Sequence, residues 1–204
     1  MFSILESRLA ALRVRLAEPH RVYHRQPHVD AMLRGMQDLP GPLLHPAAME
    51  LAIWYHDAVH DPAARDNEER SAALLRAHLT GLVHPQVLGV AMEMIRLTAT
   101  HTLPPDLPDN WREDVALFLD LDLSILGAPP DAYDAYEQGI AAEFEPVHGR
   151  KAYQHGRAAF LRDMLARPRL FNTAHFHDML EAAARANLRR ALERIRIAES
   201  SAGK

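Results

Sequence analysis

The chain contains no cysteine among its 204 residues. Disulfides, thiolate metal sites and cysteine nucleophiles are therefore excluded, and any metal must be held by His, Asp or Glu. The lack of cysteine fits a reducing compartment, and a cytoplasmic location is the expectation. No apolar run reaches the roughly 18 residues that a membrane helix requires, and the opening MFSILESRLAALRVRLAEPH carries too much charge for a secretory signal. Excess positive charge is also missing. The formal net charge is −4, so nothing in the overall balance favours a nucleic-acid polymer as partner. Strand-like alternation of apolar and polar residues is scarce, and there is neither an internal repeat nor a low-complexity stretch.

What is abundant is helix-forming residue types and histidine. Ala, Leu, Arg and Glu dominate, and apolar residues recur three and four apart. The pattern predicts helices over 3–18, 26–38, 45–60, 66–80, 84–101, 111–126, 130–146, 150–167 and 178–199. Proline-rich breakers such as LPGP at 39–42, LPPDLPDN at 103–110 and GAPP at 127–130 separate them. Asp66 is placed to cap the helix that begins DNEE, with acidic residues in its first turn. No stretch looks like an interdomain linker, so the expectation is an all-α chain forming one compact helical bundle over 1–204.

There are 13 histidines, and histidine is both the commonest metal ligand and a frequent acid or base. Four segments gather the chemistry. Tyr23-His24-Arg25-Gln26-Pro27-His28-Val29 comes first. The apolar lead-in MELAIWY then runs straight into His56-Asp57-Ala58-Val59-His60. Asn67-Glu68-Glu69-Arg70-Ser71 follows, and last comes Leu119-Asp120-Leu121-Asp122-Leu123-Ser124-Ile125-Leu126-Gly127. A buried Asp without a partner is costly, and a divalent cation is one partner that offsets the cost. Asp120 and Asp122 interrupt an otherwise apolar helix. Residues two apart lie on nearly opposite faces, so one of the two is expected to point into a site.

This ordered set, His … His-Asp … Asp on separate helices, resembles the HD superfamily of metal-dependent phosphohydrolases. It is closest to a bacterial subgroup of HD proteins marked by YHxxxHV, WxHDAVxD, NEExS and DxDLxILG. The resemblance covers roughly residues 20–195. It implies an HD-type helical domain with His28, His56, Asp57 and Asp122 as metal ligands, and it favours Asp122 over Asp120. It implies that His24 donates a proton to the leaving oxygen. It also implies hydrolysis of a phosphate ester of a small molecule, nucleotides among them, with a divalent Mn, Fe, Zn, Mg or Co ion as cofactor. Such an ion lowers the pKa of water and polarises a phosphoryl oxygen. Asp57 belongs to the catalytic centre, and Glu68, with Glu69 beside it, is the carboxylate candidate for acid–base work. Arg25, Arg65 and Arg157 are the candidates for holding phosphate, because a guanidinium fork matches phosphate oxygens. His101, after Leu97-Thr98-Ala99-Thr100, is expected to line the substrate pocket.

Asn67 stands where two-metal relatives carry another histidine, which favours one metal. A non-catalytic module that binds metal and nucleotide on the same scaffold is the alternative reading. The oligomeric state stays open, a homodimer included. His177-Asp178 lacks the apolar lead-in helix and is set aside. The arginines of the C-terminal helix are expected to form a solvated face.

Overall fold

Helix α3 (Pro46–Tyr55) is the centre around which the first half of the chain is arranged. Its sequence PAAMELAIWY is apolar on nearly every face, and Ala48, Met49, Ala52, Ile53, Trp54 and Tyr55 are all buried. A helix of that kind must be wrapped by others. Here α1 (Phe2–Leu16), α2 (Gln26–Gln37), α4 (Asn67–Leu79) and α5 (Pro85–Leu97) all pack on it. Prolines at the start of α2, α3 and α5 fit the first turn, where a backbone N–H is not needed. Helix α6 (Asp109–Leu123) contributes Val115, Phe118 and Leu119, each fully buried. At roughly 1.5–3 kcal/mol for each large apolar side chain buried, such residues supply the main driving force for the core.

The computed structural model describes residues 2–202, and among these there are nine α-helices and no strand. The chain divides into two compact units, one running to Asp122 and one beginning at Leu123. The first holds the helices just described. In the second, a 3₁₀ turn (Ser124–Gly127) leads to α7 (Pro130–His148), α8 (Arg150–Ala166) and α9 (Ala174–Ala202). Gly149, at φ 78°, makes the turn between α7 and α8 in a backbone region that favours glycine. Asn187 on α9 donates to the carbonyls of Leu126 and Ala128, fixing the 3₁₀ turn to the last helix. Arg157 is buried with its fork on Glu137, at 2.7 and 3.1 Å, and one N–H on the Tyr136 hydroxyl. No helix among the described residues is long and apolar enough to cross a membrane.

Several boundaries differ from the sequence expectation, each for a local reason. Helix α3 ends at Tyr55 rather than near 60, because residues 56–61 turn away and are held by side chains from elsewhere. Helix α5 ends at Leu97 rather than 101, and the segment after it closes with His101 in the left-handed region at φ 51°. Asp66 does sit at the N-cap of α4, but its side chain makes no capping hydrogen bond. His24 lies before α2 rather than in it, so the helical spacing of His24 and His28 does not apply.

Candidate metal centre

Three elements of the first unit deliver four side chains to one point. His28 projects from the first turn of α2, where Gln26-Pro27 starts the helix. His56 and Asp57 sit just past the end of α3. Asp122 lies one residue before the end of α6. Helix α2 can approach α6 because Gly35 has no side chain: a Cβ there would stand 2.5 Å from Leu121 Cδ1. That close approach adjoins Asp122.

The ligand-type atoms converge. His28 Nε2 lies 3.1 Å from His56 Nε2, 3.1 Å from Asp122 Oδ1 and 3.9 Å from Asp57 Oδ2. His56 Nε2 lies 3.0 Å from Asp57 Oδ2 and 3.8 Å from Asp122 Oδ1. His28 is 8 % and His56 3 % exposed. His56 Nδ1 donates to the Ile53 carbonyl at 3.0 Å, which leaves Nε2 as the nitrogen facing the cluster. The Tyr23 hydroxyl meets His28 Nδ1 at 3.2 Å, orienting that ring in the same sense.

The charge state follows from these contacts. Burial alone would push the His56 imidazole down. The Asp57 carboxylate, with Asp122 and the Ile53 carbonyl behind it, instead pushes it up to about 9. Burial would raise Asp57, but His56, His24 and His28 hold its carboxyl well below the ordinary carboxylate range. Burial works against Asp122 in the same way, and hydrogen bonds from His101 and His28 hold it well below its usual value. The site is therefore built around two ionised carboxylates that call for positive charge.

A divalent ion fits this set. Bonds of about 2.0–2.2 Å to nitrogen and oxygen imply ligand-to-ligand separations of about 3.0–3.6 Å in octahedral or tetrahedral geometry. Three of the five separations above, at 3.0–3.1 Å, fall in that range, and the His28–Asp57 and His56–Asp122 separations, at 3.9 and 3.8 Å, lie a few tenths of an ångström beyond it. Asp57 Oδ2 is the more telling atom. It is buried and has no hydrogen-bond partner, although His56 Nε2 is near, because the contact is not aligned as a hydrogen bond. An orphaned anionic oxygen beside two imidazole nitrogens is the arrangement a cation satisfies. His28, His56 and Asp122 on their own already form a group able to hold an ion.

A second layer surrounds these four. His101 Nε2 lies 2.8 Å from Asp122 Oδ2, the oxygen turned away from His28. His101, expected to line the pocket, thus contacts the Asp122 carboxylate. Asp122, rather than Asp120, joins the histidines, while Asp120 is fully buried. His24 packs against this group: its ring centroid is 6.5 Å from that of His28 and 4.3 Å from that of His60.

The NEExS segment proves to be a clamp. Asn67 accepts from the Asp61 N–H and donates to the Asp61 carbonyl, at 3.0 and 2.9 Å. One turn later, Ser71 Oγ accepts from the Val59 N–H and donates to the Val59 carbonyl. Residues 67 and 71 share a helix face, so together they grip the loop that follows His56-Asp57. Glu68 is half-buried in the first turn of α4, and no contact ties it to the cluster among the described residues. Glu69 instead forms a two-pronged surface pair with Arg96. Arg25 and Arg65 are exposed, and the Arg157 guanidinium is already engaged by Glu137 and Tyr136 in the second unit.

The residue that sequence reading did not single out is Arg21. It sits in a surface-like stretch, EPHRVYH, with nothing to mark it as buried. No family model, curated protein or solved structure matches the chain.

Proposed function

We propose that this protein is a metal-dependent phosphohydrolase of the HD type, acting on a phosphate ester of a small molecule, nucleotides among the candidates. The observation that carries the reading is the group formed by His28, His56 and Asp122, with a buried Asp57 oxygen beside the two histidines that lacks a hydrogen-bond partner. His28, His56, Asp57 and Asp122 would hold the ion. A divalent cation there supplies Lewis acidity to water and to a phosphoryl oxygen. His24, beside the cluster but outside it, would deliver a proton to the leaving oxygen. Tyr23 and the Ile53 carbonyl keep the two ligand imidazoles turned inward, and His101 does the same for Asp122. The absence of cysteine is consistent with work in the cytoplasm.

A second reading is a module that binds metal and nucleotide without turnover. The pairing of Glu69 with Arg96 favours it, since that carboxylate, one of the two candidates for acid–base work, is engaged by a guanidinium on the surface.

The deciding experiment measures metal by mass spectrometry on untagged protein, wild type against Asp57→Ala, and then phosphate release from a panel of phosphate esters with the identified cation. The phosphohydrolase reading expects near-stoichiometric metal in wild type, little in the variant, and turnover lost with it. Turnover unaffected by Asp57→Ala would sink the mechanism, and binding that raises thermal stability without phosphate release would select the second reading.

A further inference from the structure

Arg21 is a buried cation with no role in the chemistry above, and its surroundings are unusual. Its side chain is fully buried, while its carboxylate partner Glu18 is about a third exposed. Burying a guanidinium is expensive unless its N–H groups are satisfied. They are satisfied mostly by main-chain carbonyls. Nη1 donates to the Asp57 carbonyl at 2.7 Å and to the His24 carbonyl at 3.0 Å, Nη2 reaches the Ala58 carbonyl at 3.4 Å, and Nε donates to Glu18 at 3.1 Å. A single planar group thus joins the backbone before α2, which leads to His28, to the backbone just after α3, which carries Asp57.

We propose that Arg21 is the positioning residue of the metal centre, setting the separation between the His28-bearing and Asp57-bearing segments. The proposal rests on the metal reading above. Its physical basis is the planarity of the fork. Carbonyls bound at 2.7 and 3.0 Å to one nitrogen are held at nearly fixed separation, and the adjacent Ala58 carbonyl adds a second point that resists rotation. Residues 56–58 have left the helix, so no main-chain partner further along is available to fix the Asp57 and Ala58 carbonyls. The Asn67 and Ser71 clamp acts at residues 59 and 61, on the far end of the same loop. Without Arg21 the Asp57 and Ala58 carbonyls lose these donors, and what remains at the near end is the Ala58 N–H on the Tyr55 carbonyl at 2.9 Å and the His56 N–H on the Ala52 carbonyl at 2.8 Å. Arg21 touches no ligand atom, so its effect acts entirely through the backbone.

The test is titration with Mn(II) alone, read by the loss of the free-ion electron paramagnetic resonance signal, with Zn(II) as a second probe. Arg21→Met keeps the apolar stem and removes every donor. Arg21→Lys keeps the charge but satisfies fewer carbonyls. Leu161→Ala, a fully buried position on α8, is the control for destabilisation in general. The expected order of affinity is wild type and Leu161→Ala first, Arg21→Lys lower, and Arg21→Met about ten- to a hundredfold below wild type, the range seen when groups orienting metal ligands are lost. A folded Arg21→Met that binds Mn(II) like wild type overturns the proposal. If Arg21→Met does not fold, wild-type affinity in Arg21→Lys overturns it instead. Wild type that binds neither ion removes the metal reading itself and this inference with it. Binding by wild type with unchanged variants removes only the role of Arg21.

Discussion

His101 reaches Asp122 from a left-handed backbone: at φ 51° its Nε2 lies 2.8 Å from the outer carboxylate oxygen. A non-glycine residue held there is under local strain, of order 1–3 kcal/mol. The hydrogen bond from Thr100-His101 back to α5 helps hold it, the His101 N–H donating to the Leu97 carbonyl at 2.7 Å. With Oδ2 occupied by His101, Asp122 has one oxygen left for an ion. We expect His101→Ala to weaken divalent-ion binding by about ten- to a hundredfold. His101→Asn, which tolerates the left-handed region but is too short to reach Asp122, should lose affinity equally while keeping more stability. Isothermal titration with Zn(II) and Mn(II) separates the two effects. Wild-type affinity in both variants would mean that the contact does not orient the carboxylate.

Ion binding should also stabilise the fold, because the four side chains of the cluster come from three separate elements of the first unit. At a hundred times the dissociation constant, a ligand specific for the native state contributes about 2.7 kcal/mol. For a chain of this size each kcal/mol moves Tm by about 2–4 °C, so a rise of about 5–10 °C is expected. Chelator should reverse it, and Asp57→Asn should abolish it. An unchanged Tm across Mn, Fe, Zn, Mg and Co would count decisively against the site.

The sequence made the residues of the cluster legible but not what holds them. The all-helical pattern and most helix cores were readable, because α2 to α9 carry apolar residues at helical spacing between proline breakers. His56-Asp57 and the Asp120/Asp122 pair were readable because aspartate in or at the end of an apolar run has few satisfactory explanations, whereas His28, and the choice of Asp122 over Asp120, came from the ordered set of motifs and the resemblance it carries. Arg21 was not, since an arginine between Pro19 and Val22 reads as surface, and only the fold places the Asp57 and Ala58 carbonyls against it. Asn67 and Ser71 were visible as part of a motif, yet their spacing gave no hint of reciprocal bonds to Asp61 and Val59. The ends of α3 and α5 were overextended for one reason: side-chain hydrogen bonds to main chain and a left-handed residue stop helices where propensity would continue them. Of the arginines of the last helix, Arg189, Arg194 and Arg196 form the expected solvated face, with Arg194 on Asp134 and Arg196 on Glu193, whereas Arg185 and Arg190 are half-buried and Arg185 binds Glu181 and the Leu165 and Arg167 carbonyls.

The clamp on the His56-Asp57 loop should show in stability and binding together. Ser71 is fully buried, and its loss strands both the N–H and the carbonyl of Val59. Ser71→Ala should cost about 1–3 kcal/mol in urea unfolding, the penalty for leaving a buried polar group unpaired. Asn67→Ala, at an exposed pair, should cost about 1 kcal/mol. Because the loop begins with two ligands, both variants should also bind Mn(II) more weakly. A stability loss without any change in binding would show that the clamp serves the fold alone.

Acid sensitivity of the second unit should centre on Glu181. This carboxylate is 9 % exposed and accepts from the N–H groups of Leu170 and Phe171 and from Arg185. Burial pushes its pKa up, but the backbone donors and Arg185 outweigh burial and bring it below its ordinary 4.5. A carboxyl with a depressed folded pKa binds protons more readily when unfolded. Its contribution is therefore complete above about pH 4.5 and falls away as pH drops through the lowered folded value. Glu181→Gln should reduce stability at neutral pH, because the amide oxygen accepts these bonds less strongly and the pairing with Arg185 is gone. The stability difference between wild type and variant should then shrink as the solution is acidified below pH 4.5. Chemical denaturation at several pH values, with tertiary structure followed by near-ultraviolet circular dichroism, provides the comparison. A gap that stays constant from pH 7 to pH 3 would mean that Glu181 titrates alike in the folded and unfolded chain, and that its bonds to the 170–171 turn do not depend on its charge.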